Sequence, residues 1–573
     1  MEYSRLILSH LVVQHCQAAG IESVVISPGS RNAPLVMDFT AYHGFKCYSI
    51  IDERSAGFFA LGLAQQSRRP VALVCTSGSA LVNYFPAITE AYYSQLPLVV
   101  ISADRPEQLI DRGEGQTINQ KNIFGSHVLG SVNLSDQEPH LNQASNELKR
   151  VFEKATSLMG PIHINVPMDE PLYAVAHKPV DFDLLSNDQD LIEQPNQESE
   201  ALKLYQEYHS AAKKMILIGA LPPNTIAKAV VEHWRRDPSI IVLIETLANV
   251  HDSEFISGID QVITDFPMNR IQEFKPDLLI SLGGMIVSKR IKKLLRAMGI
   301  QCHWHIGNER PNDTFFALKE HINLAPNQFF STVMEFSAQV ESGITPFKMT
   351  WLSLKAARLN GHKSFVDRAP YSDFSVHRTI LEHLPNHINL QLANSASIRY
   401  AQLFAANPTH AIYCNRGTSG IEGSMSTAIG AAISAEDTQN RATVFITGDL
   451  SFYYDINALW QKYTPNSLRI IVVNNQGGGI FRILPGAKEI KPFETFLETT
   501  HSRNASLMAS EFGFEYFDAH NLNALKSILE SFFNPSNAPR ILEVFTPSTL
   551  NDQVLNEYFD TLKVNAGTAA SQF

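Results

Sequence analysis

The stretch from Val444 to Phe481, VFITGDLSFYYDINALWQKYTPNSLRIIVVNNQGGGIF, constrains the fold of this chain more than any other. Two short apolar runs, the first ending in Thr447-Gly448-Asp449 and the second in Asn474-Asn475, flank a segment of helical pattern over residues 455–463. Runs this short and continuously apolar read as parallel strands buried on both faces and joined by a helix. Asp449 and Asn475 then both stand at carboxyl strand ends, where open α/β sheets bind ligands.

A hard cation such as Mg²⁺ takes oxygen ligands and leaves positions for phosphate oxygens. Asp449, Asn475 and a carbonyl from Gly477-Gly478-Gly479 would suit it, and Gly448 lets backbone approach a diphosphate. Asp449 could instead merely cap the following helix. The NNQGGG run at the end of the next strand favours the metal reading.

Gly448-Asp449, followed one strand later by Asn474-Asn475, resembles the thiamine-diphosphate-binding motif of the pyruvate decarboxylase and acetolactate synthase superfamily. That motif usually reads Gly-Asp-Gly, whereas Leu450 stands third here, a departure that one branch of the superfamily tolerates.

The 573 residues leave room for three or four domains. With 44% hydrophobic and 18% charged residues, the composition is that of a globular protein. A net charge of −11 argues against a nucleic-acid or anionic-membrane binder, so an anionic substrate must meet a local basic cluster. The five cysteines are scattered and support neither a disulfide framework nor a zinc site. The N-terminal MEYSRLILSHLVVQHCQAAG reads as an amphipathic helix without a signal peptide's uninterrupted apolar core. No apolar run approaches the ~20 residues of a membrane span. The expectation is a soluble, cytoplasmic protein.

Three consecutive open parallel-sheet α/β domains are expected, over residues 1–180, 200–345 and 375–573. Strands are read at 24–27, 47–51, 71–76, 98–102 and 162–166 in the first, and at 215–219, 240–245, 277–284 and 302–307 in the second. The third has strands at 390–394, 411–415, 443–447, 469–473 and 541–545, and a small-residue tail expected to fray. Residues 177–200 have the polar, acidic composition of a linker. The middle domain carries no G-x-G-x-x-G fingerprint, so no nucleotide site is expected there.

Two loops stand out in the first domain. Ser30 and Arg31, in ISPGSRNAPL, follow a strand and precede a helix. They could form an ordinary turn, but Arg31 offers a fork suited to a carboxylate. Glu53, in IDERSAG, opens a helix just past the second strand, where the helix dipole alone would favour an acid.

The resemblance adds more. In thiamine-diphosphate enzymes a Glu in the place of Glu53 hydrogen-bonds N1′ of the aminopyrimidine, favouring the imino form whose 4′ nitrogen takes the C2 proton. Ile421, in GIEG, resembles the apolar wedge that bends the cofactor, although it could equally be a core isoleucine. The segments DERSAGFFALGLA, TSGSALVNYFPAITEA, SADRPEQLIDRGEGQTINQ, ANSASIRYAQLF, NRGTSGIEGSMSTAIGAA, GDLSFYYDINAL and VVNNQGGGIFRILP resemble the branch that serves menaquinone biosynthesis. Together with ISPGSRNAPL they run from residue 26 to 485 in the order of that branch.

That resemblance implies a thiamine-diphosphate-dependent transferase, with Mg²⁺ or Mn²⁺, that decarboxylates 2-oxoglutarate and joins the product to isochorismate. It implies isochorismate contacts at Ser30, Arg31, Arg105 and Lys289, and 2-oxoglutarate contacts at Ser395, Arg399 and Arg416. Gln116 would lie near the reacting centre, Ile480-Phe481 beside the thiazolium, and Leu450 and Ser451 in the cofactor loop. The register at Lys289-Arg290 stays open by one residue. A homodimer, or a dimer of such dimers, is implied, with sites shared between chains. The alternatives are an acetolactate-synthase-like enzyme for a smaller 2-oxo acid and a non-catalytic nucleotide-binding protein.

Overall fold

In the computed structural model, which describes residues 2–135, 140–182, 184, 197–336, 343–484 and 486–569, three parallel sheets follow one another along the chain. From edge to edge, the first holds Lys46–Ser49, Ser23–Ile26, Val71–Cys75, Leu98–Asp104, Ile162–Pro167 and Ser131–Asn133. The second holds Ile240–Ile244, Lys214–Ile218, Leu278–Leu282, His303–Ile306 and Leu318–Ile322. The third runs Ala411–Tyr413, Asn389–Leu392, Thr443–Gly448, Arg469–Asn474, Arg540–Phe545 and Glu515–Ala519. A two-stranded antiparallel pair, Tyr3–Ser4 with Val175–Ala176, ties the two ends of the first unit together.

Several elements differ from the expectation. Strands Ser131–Asn133, Leu318–Ile322 and Glu515–Ala519 were not anticipated. The helix after the third-domain strand begins at Asp449 and ends at Tyr454, followed by a short 3-10 turn at Ile456–Leu459. Asp455 precedes only this 3-10 turn and no longer helix, and its buried carboxylate accepts the backbone N–H and the hydroxyl of Ser426 in the first turn of the helix Ser424–Gln439. The C-terminal tail continues the helix Asn551–Ala569, and only residues 570–573 of it lie outside the described residues. Of the expected linker, residues 183 and 185–196 are likewise outside, and a helix begins at Gln197. Beyond residue 345, Phe347 and Trp351 of the helix Pro346–Val366 complete the middle unit's core. Among the described residues no helix is long and apolar enough to cross a membrane.

The first and third units share one hydrophobic core, in which Phe58, Phe59 and Leu63 pack with Met425, Ala428 and Ile429. Its seam is the crossing of helices Glu53–Ser67 and Ser424–Gln439, whose backbones touch at glycine. A Cβ on Gly62 would lie 2.1 Å from the Thr427 carbonyl oxygen, and one on Gly430 would lie 2.1 Å from that of Phe59. Neither obstacle is a side-chain tip that could swing away, so the helices themselves would have to separate. Overpacking of this kind costs about 1–3 kcal/mol, and more when backbone must move. Gly430→Val is therefore expected to lower the thermal unfolding midpoint by several degrees, as read by calorimetry; an unchanged midpoint would mean that the crossing is not tight.

Candidate active site

The strand Thr443–Gly448 delivers Asp449 into the first turn of a helix, and Arg469–Asn474 delivers Asn475 beside it. Asp449 is buried; its Oδ1 accepts the Leu450 N–H at 2.7 Å and its Oδ2 the Gly477 N–H at 2.9 Å. His501 Nε2 lies 3.2 Å from the same Oδ2. Asn475 is also buried, and its Nδ2 donates to Asp373 Oδ2 at 2.9 Å. That leaves Asn475 Oδ1 buried without a hydrogen-bond partner.

An unpartnered buried amide oxygen costs about 1–3 kcal/mol, which a cation ligand would remove. The glycines leave room for this arrangement, since a Cβ on Gly479 would stand 2.6 Å from Asn475 Nδ2. The Gly477 carbonyl accepts the Gly479 N–H at 3.0 Å and keeps a second lone pair. Among the described residues no three His, Cys, Asp or Glu side chains form a self-sufficient metal cage. Asp449, Asn475 and the Gly477 carbonyl fit a hard, oxygen-ligated cation with room left for oxygens of a ligand.

These groups open into a cavity of about 410 Å³. Gly448, Leu450, Ser451 and Ile421 line it, as do Ile480 and Phe481 from a short helical turn. Ser451 Oγ donates to the Ile421 carbonyl at 2.9 Å, fixing the Ile421 loop to the loop that carries Asp449. Ser395, Arg399, Arg416 and Lys289 line the same cavity. Ser395 has φ of 70°, a conformation that non-glycine residues adopt at a cost and that collects at functional sites. Arg399 is half-buried, and its pKa is drawn below the ordinary arginine value by burial and then by Arg416. Arg416 donates to Asn394 Oδ1 at 2.7 Å, while the Nε atoms of Arg399 and Arg416 are buried without partners. Two like charges held this close, with donors to spare, are arranged for an anion. Lys289 lines the cavity, whereas Arg290 donates to Thr264 and stacks on Phe559.

The remaining expected residues lie on the first unit and do not line this cavity, whose lowest-numbered residue is Lys289. Glu53 is the first residue of its helix, with Asp52 as cap, and its Oε2 accepts Asn83 Nδ2 at 3.1 Å. Ser30 is exposed, and Arg31 is buried, donating to the Met168 carbonyl at 2.9 Å with Glu170 at 3.7 Å. Arg31 is thus already partly engaged. Its pKa is lowered by burial and then by Arg105, whose Nη2 donates to the Gly115 carbonyl at 3.1 Å and whose Nε has no partner. Gln116 is exposed at φ 62°, against Ser77 and Gly78. A second cluster of cations and polar groups therefore sits at the strand ends of the first sheet.

Sequence reasoning missed Asp373, His377 and His501. Asp373 looked like any acid in a helix's first turn, and no spacing links it to Asn475. Burial, and then the neighbouring Asp449 charge, push its carboxyl up to about 6, against the pull of hydrogen bonds from Thr546 and Asn475. His377 Nδ1 donates to the Asp373 carbonyl at 2.7 Å, and burial lowers its pKa to about 4, so it is neutral at pH 7. Glu90 was missed as well: from the first unit it accepts the Gly417 and Thr418 N–H groups at 2.7 and 2.6 Å, holding the loop between Arg416 and Ile421.

Known proteins resemble the chain throughout. Residues 7–123 match the family described as thiamine pyrophosphate enzyme, N-terminal TPP binding domain, and residues 395–544 match its C-terminal TPP binding domain. The 2-succinyl-5-enolpyruvyl-6-hydroxy-3-cyclohexene-1-carboxylate synthases of Flavobacterium johnsoniae and Flavobacterium psychrophilum are each 45% identical, over 98% of this chain and 100% of theirs. That of Cytophaga hutchinsonii is 36% identical over 97% of this chain and 98% of its own. The crystal structure of benzoylformate decarboxylase from Polynucleobacter necessarius superposes with a TM-score of 0.68 at 15% identity, covering 95% of this chain and 99% of that one, which speaks for the fold alone. With its two cofactor domains in order and its near full-length identity to these enzymes, the chain belongs to the 2-succinyl-5-enolpyruvyl-6-hydroxy-3-cyclohexene-1-carboxylate synthase family of thiamine-diphosphate enzymes.

Proposed function

We propose that this protein decarboxylates 2-oxoglutarate and adds the remaining succinyl-semialdehyde unit to isochorismate, giving 2-succinyl-5-enolpyruvyl-6-hydroxy-3-cyclohexene-1-carboxylate for menaquinone biosynthesis. The observation that carries this reading is the convergence of Arg399, Arg416 and Lys289 on the cavity that holds Asp449 and Asn475, in a chain of net charge −11. A small uncharged acyl group, as in an acetolactate-type reaction, would not need these cations. Both proposed substrates are dianions.

Thiamine diphosphate, when bound, supplies the nucleophilic carbon and the electron sink that the decarboxylation needs. Asp449, Asn475 and the Gly477 carbonyl would hold its diphosphate through Mg²⁺ or Mn²⁺, with Gly448, Leu450 and Ser451 against it. Ile421 would prop the bend, Ile480 and Phe481 would exclude water from the reacting face, and Glu53 would hold a proton at the pyrimidine N1′. Ser395, Arg399 and Arg416 would bind the carboxylates of 2-oxoglutarate. Ser30, Arg31 and Arg105, with Lys289, would bind isochorismate, and Gln116 would stand near the reacting centre. In this reading the protein is cytoplasmic and the working unit is a homodimer in which each site takes its pyrimidine side from one chain and its diphosphate side from the other; that Glu53 does not line the Asp449 cavity supports the shared site.

The test is purified protein assayed for thiamine-diphosphate-dependent consumption of 2-oxoglutarate, with and without isochorismate, with the product identified by mass spectrometry. Consumption of pyruvate in preference to 2-oxoglutarate would sink the reading. Within it, Arg399→Ala removes charge-assisted hydrogen bonds worth about 1.5–3 kcal/mol, so kcat/KM for 2-oxoglutarate is expected to fall roughly 10–150-fold. An equal fall for a 2-oxo acid without a second carboxylate, such as pyruvate, would show that Arg399 does not read the distal carboxylate.

A further inference from the structure

We propose that Asp373 is the positioning residue of the metal site, setting which end of the Asn475 amide faces the cation. This inference rests on the metal reading above. An ionised carboxylate only accepts hydrogen bonds, so the amide must turn its NH₂ to Asp373 Oδ2, at 2.9 Å, and its oxygen away. The oxygen that results is the one left buried and unpartnered. Without Asp373 nothing described around Asn475 would distinguish the two ends of its side chain, and a flipped amide would present hydrogens to a cation.

Asp373 is itself held rigidly. Thr546 Oγ1 donates to its Oδ1 at 2.5 Å, and its backbone N–H donates to Asn551 Oδ1 at 2.8 Å. These partners come from beyond the strand Arg540–Phe545 and from the start of the helix Asn551–Ala569, so one holds the carboxylate and the other the backbone that carries it. Both its oxygens are occupied by donors, which makes it a support for a ligand and not a ligand. Groups that orient a metal ligand in this way typically contribute 10–100-fold to metal affinity.

The test titrates Mn²⁺ into protein saturated with thiamine diphosphate, without substrate, and reads free metal by electron paramagnetic resonance. Asp373→Leu should bind Mn²⁺ about 10–100-fold more weakly than the unchanged protein. Should that variant not fold, the exchange Asp373→Asn with Asn475→Asp keeps the hydrogen bond with donor and acceptor reversed. It should bind Mn²⁺ at least about tenfold more tightly than Asn475→Asp alone, in which two carboxylates face each other. Wild-type affinity in a folded Asp373→Leu, or an exchange no better than Asn475→Asp alone, would overturn the role of Asp373. A wild-type protein that takes up no Mn²⁺ with thiamine diphosphate would overturn the metal site itself.

Discussion

Asp449→Ala protein is expected to emerge folded but unable to retain thiamine diphosphate. The substitution removes the one carboxylate of the proposed cation site and strands the Leu450 and Gly477 N–H groups that it accepts. Charge-assisted hydrogen bonds contribute about 1.5–3 kcal/mol each, so with the cation's own ligand gone the loss exceeds about 3 kcal/mol, or more than 100-fold in cofactor affinity. The fold should survive, because the strands on either side are held by continuous ladders and apolar packing that do not involve this side chain. Calorimetric titration with Mg²⁺ and thiamine diphosphate measures the effect, and Asp449→Asn separates charge from shape. Normal cofactor retention by Asp449→Ala would place the diphosphate elsewhere.

Mixing two dead proteins should restore activity. Within one chain the first and third units are fixed to each other by the glycine crossing and by Asn457 on Asp52, Arg54 on the Tyr454 carbonyl and Tyr463 on the Ser49 N–H. Glu53 stands among these contacts but outside the Asp449 cavity, so it is expected to serve the partner's cofactor. Glu53→Gln should spoil one half of each site and Asp449→Ala the other. In a mixed dimer with shared sites, one site carries both defects and the other neither, because the interface repeats the same patches on both chains. Up to roughly half of the activity per heterodimer should return after subunit exchange. Verified heterodimers without activity would exclude independent sites shared between chains.

Most strands were legible in the sequence, the edge strands Lys46–Ser49, Ile240–Ile244 and Ala411–Tyr413 among them, but three other edge strands were not. The strands that carry Asp449 and Asn475 are buried almost throughout, and their apolar stretches, Val444-Phe445-Ile446 and Ile470-Ile471-Val472-Val473, read as such because both faces are covered. Ser131–Asn133, Leu318–Ile322 and Glu515–Ala519 went unread, and all three are edge strands, half-exposed, with polar residues such as Lys319, Glu320, Glu515 and Asp518. An edge strand needs no apolar run, so no such run announces it. The same contrast holds at the site. Residues with a motif around them were placed on the cavity, from Gly448 to Phe481, whereas Asp373, His501 and Glu90 act through contacts between distant segments that no local pattern encodes. At Asp455 the local pattern was right about a helical start and wrong about its extent: a 3-10 turn of four residues follows, while the carboxylate serves the distant helix Ser424–Gln439.

The core shared by the first and third units also bears on how the chain comes apart. Phe58 and Phe59 would lose one side of their core if the third unit were removed, and so would Met425 and Ile429 if the first were. The middle unit, by contrast, surrounds Trp234, Phe329 and Phe330 with residues of its own. Unfolding should therefore follow spatial and not sequential neighbourhood. The two outer thirds of the polypeptide would melt as a single cooperative block, and the segment inserted between them could open separately. Ribosomal synthesis makes the partner helix of Glu53–Ser67 only after the whole middle unit has emerged, so the first unit must wait, its glycine seam uncovered, for the last third of the chain to arrive.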